Sequence, residues 1–97
     1  ETIAIKVKQK DFSIVSVRPN PNEGQIMVDF YSDRPGAGYI KITDLTGRLV
    51  KSQLVDLQSE LNTFSVSLIE LSKGIYSISV VTDDNQRISS PKMIVRN

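Results

Sequence analysis

Ninety-seven residues suffice for one hydrophobic core and leave no room for a second. Twelve basic against eleven acidic side chains give a formal charge of +1, which argues against a nucleic-acid partner, since such proteins show a one-signed excess. Histidine and cysteine are both absent, which excludes imidazole-dependent catalysis, thiol nucleophiles, thiolate zinc sites and disulfides together.

No apolar run approaches the roughly twenty residues of a membrane helix, so no direct membrane span is expected. Glu1 enters a strand-like stretch with no signal peptide, as a piece from the end of a longer exported protein would. Ile3, Ile5 and Val7 alternate with Lys6, Lys8 and Lys10 and predict a first strand. Its lysine face suits lipopolysaccharide phosphates, or more simply blunts edge-to-edge pairing. Residues 1–10 are expected to be a linker or the end of a preceding domain, and 11–97 a domain of their own.

Ile14, or the neighbouring Val15 and Val17, mark the next strand, which runs into Pro19. The stretch Pro19-Asn20-Pro21-Asn22-Glu23-Gly24 is expected to end any ladder, because two residues lack an amide donor and Gly24 admits positive φ. Ile26, Val28 and Phe30 alternate with Met27, Asp29 and Tyr31, and Asp33-Arg34-Pro35-Gly36 makes a turn. Ile40 and Ile42 mark a further strand, closed by a tight hairpin at Asp44-Leu45-Thr46-Gly47 with Gly47 left-handed after a type I turn. From Leu49 to about Val55 both phases hold apolar residues, so the inward face cannot be assigned. Asp56 to Leu61 suits a short helix or a loop.

Phe64, Val66 and Leu68 against Thr63, Ser65 and Ser67 form the cleanest alternation in the chain. Tyr76, Ile78 and Val80 follow, then a hairpin tip at Asp83-Asp84-Asn85 and a last strand from Ile88 to Val95, broken near Ser89-Ser90-Pro91. Short strands with turn signals every eight to twelve residues or so define the fold class: all-β, an immunoglobulin-like antiparallel β-sandwich of about seven strands.

Little of the chain suggests chemistry. Tyr76, after Leu68-Ile69-Glu70-Leu71-Ser72-Lys73-Gly74-Ile75, fits the tyrosine corner of sandwich folds, its hydroxyl tied to upstream backbone. Asp83, Asp84 and Asn85 are too few oxygens for calcium and suit a hairpin tip. Asp29 and Asp44 offer a carboxylate pair with nothing to bring them across a cleft, and Ser72-Lys73 are neighbours in sequence alone. Tyr31 and Tyr39 are the candidates for a sugar-binding face. No catalytic residue, metal or cofactor is expected.

In the last strand Lys92, Ile94 and Arg96 share one face and Met93 and Val95 the other. A terminal strand of this kind either closes the sheet or is offered to a receptor by strand addition.

Four elements occur in order: Pro19-Asn20-Pro21; Ile40 to Val50 with Asp44 and Gly47; Leu71 to Val80 with Gly74 and Tyr76; and Lys92-Met93-Ile94-Val95-Arg96. Together, over about Val15 to Arg96, they resemble the type A C-terminal sorting domains that Bacteroidetes cargo proteins carry for type IX (Por) secretion. Arg18 stands where an aromatic often precedes the Pro-Asn-Pro element, and Asn97 trails the final basic residue.

The resemblance implies a noncatalytic address on an N-terminal cargo domain. Such cargo passes through the periplasm to the outer membrane surface or the medium. The domain is recognised by the translocon and its shuttle proteins, through Lys92, Met93, Ile94, Val95 and Arg96. Gly47, Gly74 and Tyr76 hold the neighbouring loops. A surface sortase commonly then cleaves, here between about Val7 and Phe12, and joins the cargo to anionic lipopolysaccharide. Some members are instead retained as translocon parts. As an excised fragment the domain could exchange strands into a dimer. Without the resemblance the same residues also fit an immunoglobulin-like spacer or adhesion module, carbohydrate-binding among them.

Overall fold

The computed structural model describes residues 12–84 and 87–97. The strand expected at Ile3 to Val7, with its lysine face, lies outside them, as does Asn85 of the hairpin tip. Seven strands are formed: β1 Phe12–Arg18, β2 Gln25–Ser32, β3 Gly36–Asp44, β4 Leu49–Leu57, β5 Glu60–Ser67, β6 Gly74–Thr82 and β7 Lys92–Arg96. They assemble into a three-stranded sheet ordered β1-β2-β5 and a four-stranded sheet ordered β4-β3-β6-β7, with every neighbouring pair antiparallel. This is the predicted immunoglobulin-like sandwich.

Alternation places Ile26, Val28 and Phe30 of β2, Ile40 and Ile42 of β3 and Ile78 and Val80 of β6 in one core, all fully buried. Val66 and Leu68 join them from the β5 side, and Ile94 from β7. Tyr76 closes one end of the core, and its hydroxyl donates to Ser72 O at 2.6 Å, forming the expected tyrosine corner.

Two bulges resolve what alternation left ambiguous. The β1–β2 register shifts between Ile14 and Ser16, so Val15 is the extra residue. Ile14 and Val17 therefore both pack against the core, while Val15 is exposed. The β3–β4 register shifts between Ile42 and Thr43, which pair with Lys51 and Leu49 and leave Val50 unpaired. Val50 packs inward at that bulge and Val55 and Leu57 point inward after it, so both phases of β4 carry apolar residues.

The Asp56 to Leu61 segment is neither helix nor open loop. β4 continues to Leu57 and β5 begins at Glu60, so only Gln58 and Ser59 carry the chain from one sheet to the other. Leu57 is buried in the core, which extends β4. The buried Asn62 holds this corner: its Oδ1 accepts from Gln58 N at 2.8 Å and its Nδ2 donates to Gln58 O at 2.9 Å and Glu60 O at 3.2 Å.

The other turns form where turn chemistry placed them. At the β3–β4 hairpin Gly47 N donates to Asp44 O at 3.0 Å and Gly47 takes φ +89°. The last strand is interrupted as expected: Ile88 bridges Val81, and regular pairing resumes only at Lys92. Between them the buried Ser89 exchanges bonds with Val80, its amide donating to Val80 O at 2.8 Å and its Oγ accepting from Val80 N at 2.9 Å.

Candidate recognition site at one end of the sandwich

The sequence elements singled out above lie up to some seventy residues apart, yet they meet at one end of the molecule. Asp44, at the end of β3, pairs with Tyr76 at the start of β6, and Gly74 pairs with Arg96 at the end of β7. Leu68 N donates to Gly24 O at 2.7 Å, which docks the loop after β5 onto the Pro-Asn-Pro segment. Arg96 spans these pieces: its Nε donates to Leu68 O at 3.2 Å and its guanidinium covers Gly24. Gly24 has φ +114°, and a Cβ there would lie 3.5 Å from Arg96 Cζ.

The Pro-Asn-Pro segment ends the β1 ladder at Arg18 as expected, and it does more than that. β7 is an edge strand, and Asn20 and Asn22 pair with its outer edge. Asn20 Nδ2 donates to Met93 O at 3.1 Å, and Asn20 Oδ1 accepts from Val95 N at 2.9 Å. Two residues on, Asn22 N donates to Val95 O at 2.9 Å and Asn22 O accepts from Asn97 N at 2.7 Å, a parallel bridge opposite Arg96.

A parallel neighbour bonds the carbonyl before and the amide after the residue it faces. Asn22 does this around Arg96 with its backbone; Asn20 does it around Ile94 with its side-chain carboxamide. Prolines at 19 and 21 have no amide to offer, so a carboxamide supplies the missing rung. Asn22 is itself buried; its Nδ2 also donates to Val95 O at 2.9 Å and its Oδ1 accepts from Gly24 N at 2.9 Å.

The five residues expected to meet a partner divide sharply. Ile94 is fully buried in the core and is not available to one. Its side chain is out of reach because the face it shares with Lys92 and Arg96 is the one turned toward the opposite sheet. Lys92 lies at the exposed end of that face and makes no ion pair among the described residues; Arg96 lies half-buried at the other end. On the outer face Met93 is 60% exposed and Val95, half-buried, pairs with the exposed Ile75 of β6. Leu45 of the β3–β4 hairpin and Ile69 of the following loop add exposed apolar side chains at this end.

Ion pairs brace the surroundings. Asp44 Oδ1 accepts from Thr46 Oγ1 at 2.6 Å and from the amides of Thr46 and Arg48, which holds its carboxyl below the ordinary range. Lys51 Nζ donates to Glu70 at 2.7 Å and lowers that carboxyl likewise. Asp29, in the other sheet, receives the Arg18 guanidinium at 3.0 and 3.1 Å, Ser16 Oγ at 2.6 Å and Thr63 Oγ1 at 2.8 Å, and is lowered to about 2. Asp29 and Asp44 thus have separate partners and form no couple. Tyr31 and Tyr39 stand on different sheets, so they offer no common sugar platform.

The opposite end holds Phe12, whose ring meets Phe30 edge-on at 4.7 Å and lies under the Arg87 guanidinium, itself paired with Asp33. Asp33 is lowered chiefly by its hydrogen bond from Arg87. Thr82 Oγ1 donates to Asp84 Oδ1 at 2.7 Å at the tip that follows β6. Among the described residues no three acidic side chains converge on one point, and no helix is long and apolar enough to cross a membrane.

The molecule is therefore an immunoglobulin-like sandwich whose last strand is tied at its outer edge to the segment following the first. The family model of the secretion system C-terminal sorting domain matches residues 16–96, and the chain belongs to that family. Family membership makes it a type IX secretion sorting signal, directed to the cell surface or the medium. No curated protein matches the chain. Among solved structures it is similar to the crystal structure of dimeric latent PorU from Porphyromonas gingivalis, with a TM-score of 0.75 at 24% identity. That likeness covers 95% of this chain and 10% of the PorU chain, and it speaks for the fold alone.

Proposed function

We propose that the domain is a noncatalytic address read at the end formed by the Pro19–Gly24 segment, the Asp44–Arg48 hairpin, the Leu68–Lys73 loop and β7. The type IX translocon and its shuttle proteins are the readers, and an N-terminal cargo domain is what they carry from the periplasm to the outer membrane surface. Met93, Val95, Lys92 and Arg96 make the contact; Gly47, Gly74 and Tyr76 keep the flanking loops in shape.

Where a surface sortase then acts, cutting before Phe12 and joining the cargo to anionic lipopolysaccharide, the packing of Phe12 against Phe30 sets the limit of what it can reach. The observation that carries the proposal is how the segments at this end are fastened to one another. Segments distant in the chain, each weak alone, are held together by the backbone bridge of Asn22 on β7, the Leu68–Gly24 bond and the reach of Arg96 to Leu68. Alternating strand direction already brings the β1–β2, β3–β4 and β5–β6 connections and the end of β7 to one end; what a sandwich does not require is the set of bonds that fastens them to one another there.

The test is a fusion of residues 11–97 to a periplasmic reporter in a type IX-competent cell and in one lacking the translocon. Delivery to the surface only in the competent cell supports the proposal; periplasmic retention in both contradicts it. Removing Lys92 to Asn97 should abolish delivery, but it also takes Ile94 from the core. Surface variants such as Lys92→Ala with Met93→Ser are therefore the cleaner comparison.

A further inference from the structure

We propose that the outer edge of β7 is an acceptor site for an extended polypeptide strand, held closed by Asn20 and opened by exchange of that side chain for the incoming strand. The inference rests on the sorting proposal above and names how its reader engages the domain.

The edge is only partly filled. Asn20 and Asn22 satisfy Met93 O, Val95 N, Val95 O and Asn97 N. Met93 N points the same way, since residues at 93 and 95 alternate with those bonded to β6, and it has no partner among the described residues. Beside it the Met93 side chain is 60% exposed, and Lys92 is exposed without an ion pair among the described residues. Met93 N needs a carbonyl acceptor, and no carbonyl of the Pro19–Pro21 segment bonds it among the described residues. The unfilled stretch at Lys92 and Met93 is a toehold from which a strand can add rung by rung.

The clamp is also poorly defended against exchange at its first rung. Asn20 is exposed, and its two bonds come from a side chain that must be held in one rotamer. A true strand supplies the same two bonds from a backbone already extended, adds one at Met93 N, and sets its side chains beside Met93 and Val95. The kind of partner follows: an extended segment with an apolar side chain over Met93 and Val95 and an acidic one facing Lys92. A second copy of this domain pairing edge to edge is the competing occupant.

Proline at position 93 isolates the backbone term. Met93→Pro removes the outward amide, which the fold does not use, and proline is tolerated at such edge positions. Met93→Ala removes the same side chain and keeps the amide. The reporter fusion carrying each variant, or Asn20→Ala, is compared for surface delivery per amount of folded fusion, with folding followed by circular dichroism.

Met93→Pro is expected to deliver about tenfold less than Met93→Ala, the equivalent of one lost rung. Asn20→Ala is expected to deliver at least as well as the parent. Equal delivery by the alanine and proline variants overturns the inference, as does a folded Asn20→Ala that is not delivered, because the clamp itself would then be what is read. Should Met93→Pro fail to fold, Asn20→Ala decides alone. Concentration-dependent dimerisation of Asn20→Ala together with loss of delivery assigns the edge to a second copy and likewise overturns it. Failure of the parent fusion to be delivered brings down the sorting proposal instead, and this inference with it.

Discussion

Replacing Asn20 by alanine should loosen β7 by an amount that can be worked from its two bonds. The change deletes the 3.1 Å bond to Met93 O and the 2.9 Å bond from Val95 N, while Asn22 keeps its backbone bridge around Arg96. An intramolecular hydrogen bond contributes about 0.5–1.5 kcal/mol net, and both bonds lie where water can replace the lost partner. The expected loss is about 1–2 kcal/mol, or roughly 6–12 °C in Tm for a domain of this size.

Asn22→Ala should cost more, about 2–4 kcal/mol. Asn22 is 1% exposed, and its loss leaves the buried Gly24 amide without its acceptor. Amide hydrogen exchange localises the effect. In Asn20→Ala the Val95 amide should lose protection while those of Ile94 and Asn97 keep theirs, because they bond to β6 and to Asn22 O. Unchanged exchange at Val95, with a Tm within about 2 °C of the parent, would refute the clamp as an energetic element.

Asp29 gives a pH test. Its carboxyl is lowered from 3.8 to about 2, first by the Arg18 hydrogen bonds and then by Ser16 and Thr63, so its contribution is complete above the unfolded pKa and lost as pH falls toward about 2. Denaturant titration at pH 5 and pH 2 should show that Asp29→Asn lacks about 1–2 kcal/mol of the parent's acid-dependent loss, solvent screening allowed for. Tyr76→Phe removes the 2.6 Å bond to Ser72 O and should lower stability by about 1 kcal/mol in the same assay. Gly38→Ala places a Cβ 2.9 Å from Val81 O and should cost about 2–3 kcal/mol through backbone displacement. Gly47→Ala meets open space and should cost about 1 kcal/mol for its positive φ alone.

The sandwich was legible because period-two alternation is enforced by the pleat itself. Ile26, Val28 and Phe30, or Tyr76, Ile78 and Val80, could face only one way. Turn chemistry at Asp44 to Gly47 was legible for an equally local reason. What alternation cannot carry is a change of phase, and the bulges at Val15 and Val50 made two strands look two-faced. The corner at Gln58 and Ser59 was missed because Asn62, a buried polar side chain four residues on, supplies its bonds.

The proposed recognition site was half legible. Its members were named from their order, but not the reason for it: the bonds from Asn20 and Asn22 to β7 span 73 to 75 residues and leave no periodic trace. One signal was present. Where prolines remove the amides at 19 and 21, any pairing must come from the asparagine between them and the residue after.

The account stands on the claim that one end of the sandwich, and not its surface at large, carries the address. Exposed apolar side chains of matched accessibility exist at both ends: Met93 at 60% and Ile69 at 73%, against Leu61 at 62% and Ile88 at 70%. Reporter fusions carrying Met93→Ser with Ile69→Ser, or Leu61→Ser with Ile88→Ser, should be measured for surface delivery per folded molecule. The account predicts a loss of about tenfold or more for the first pair, the equivalent of about 1.4 kcal/mol of lost recognition, and none for the second. Equal loss in both pairs, or loss confined to the second, would contradict it.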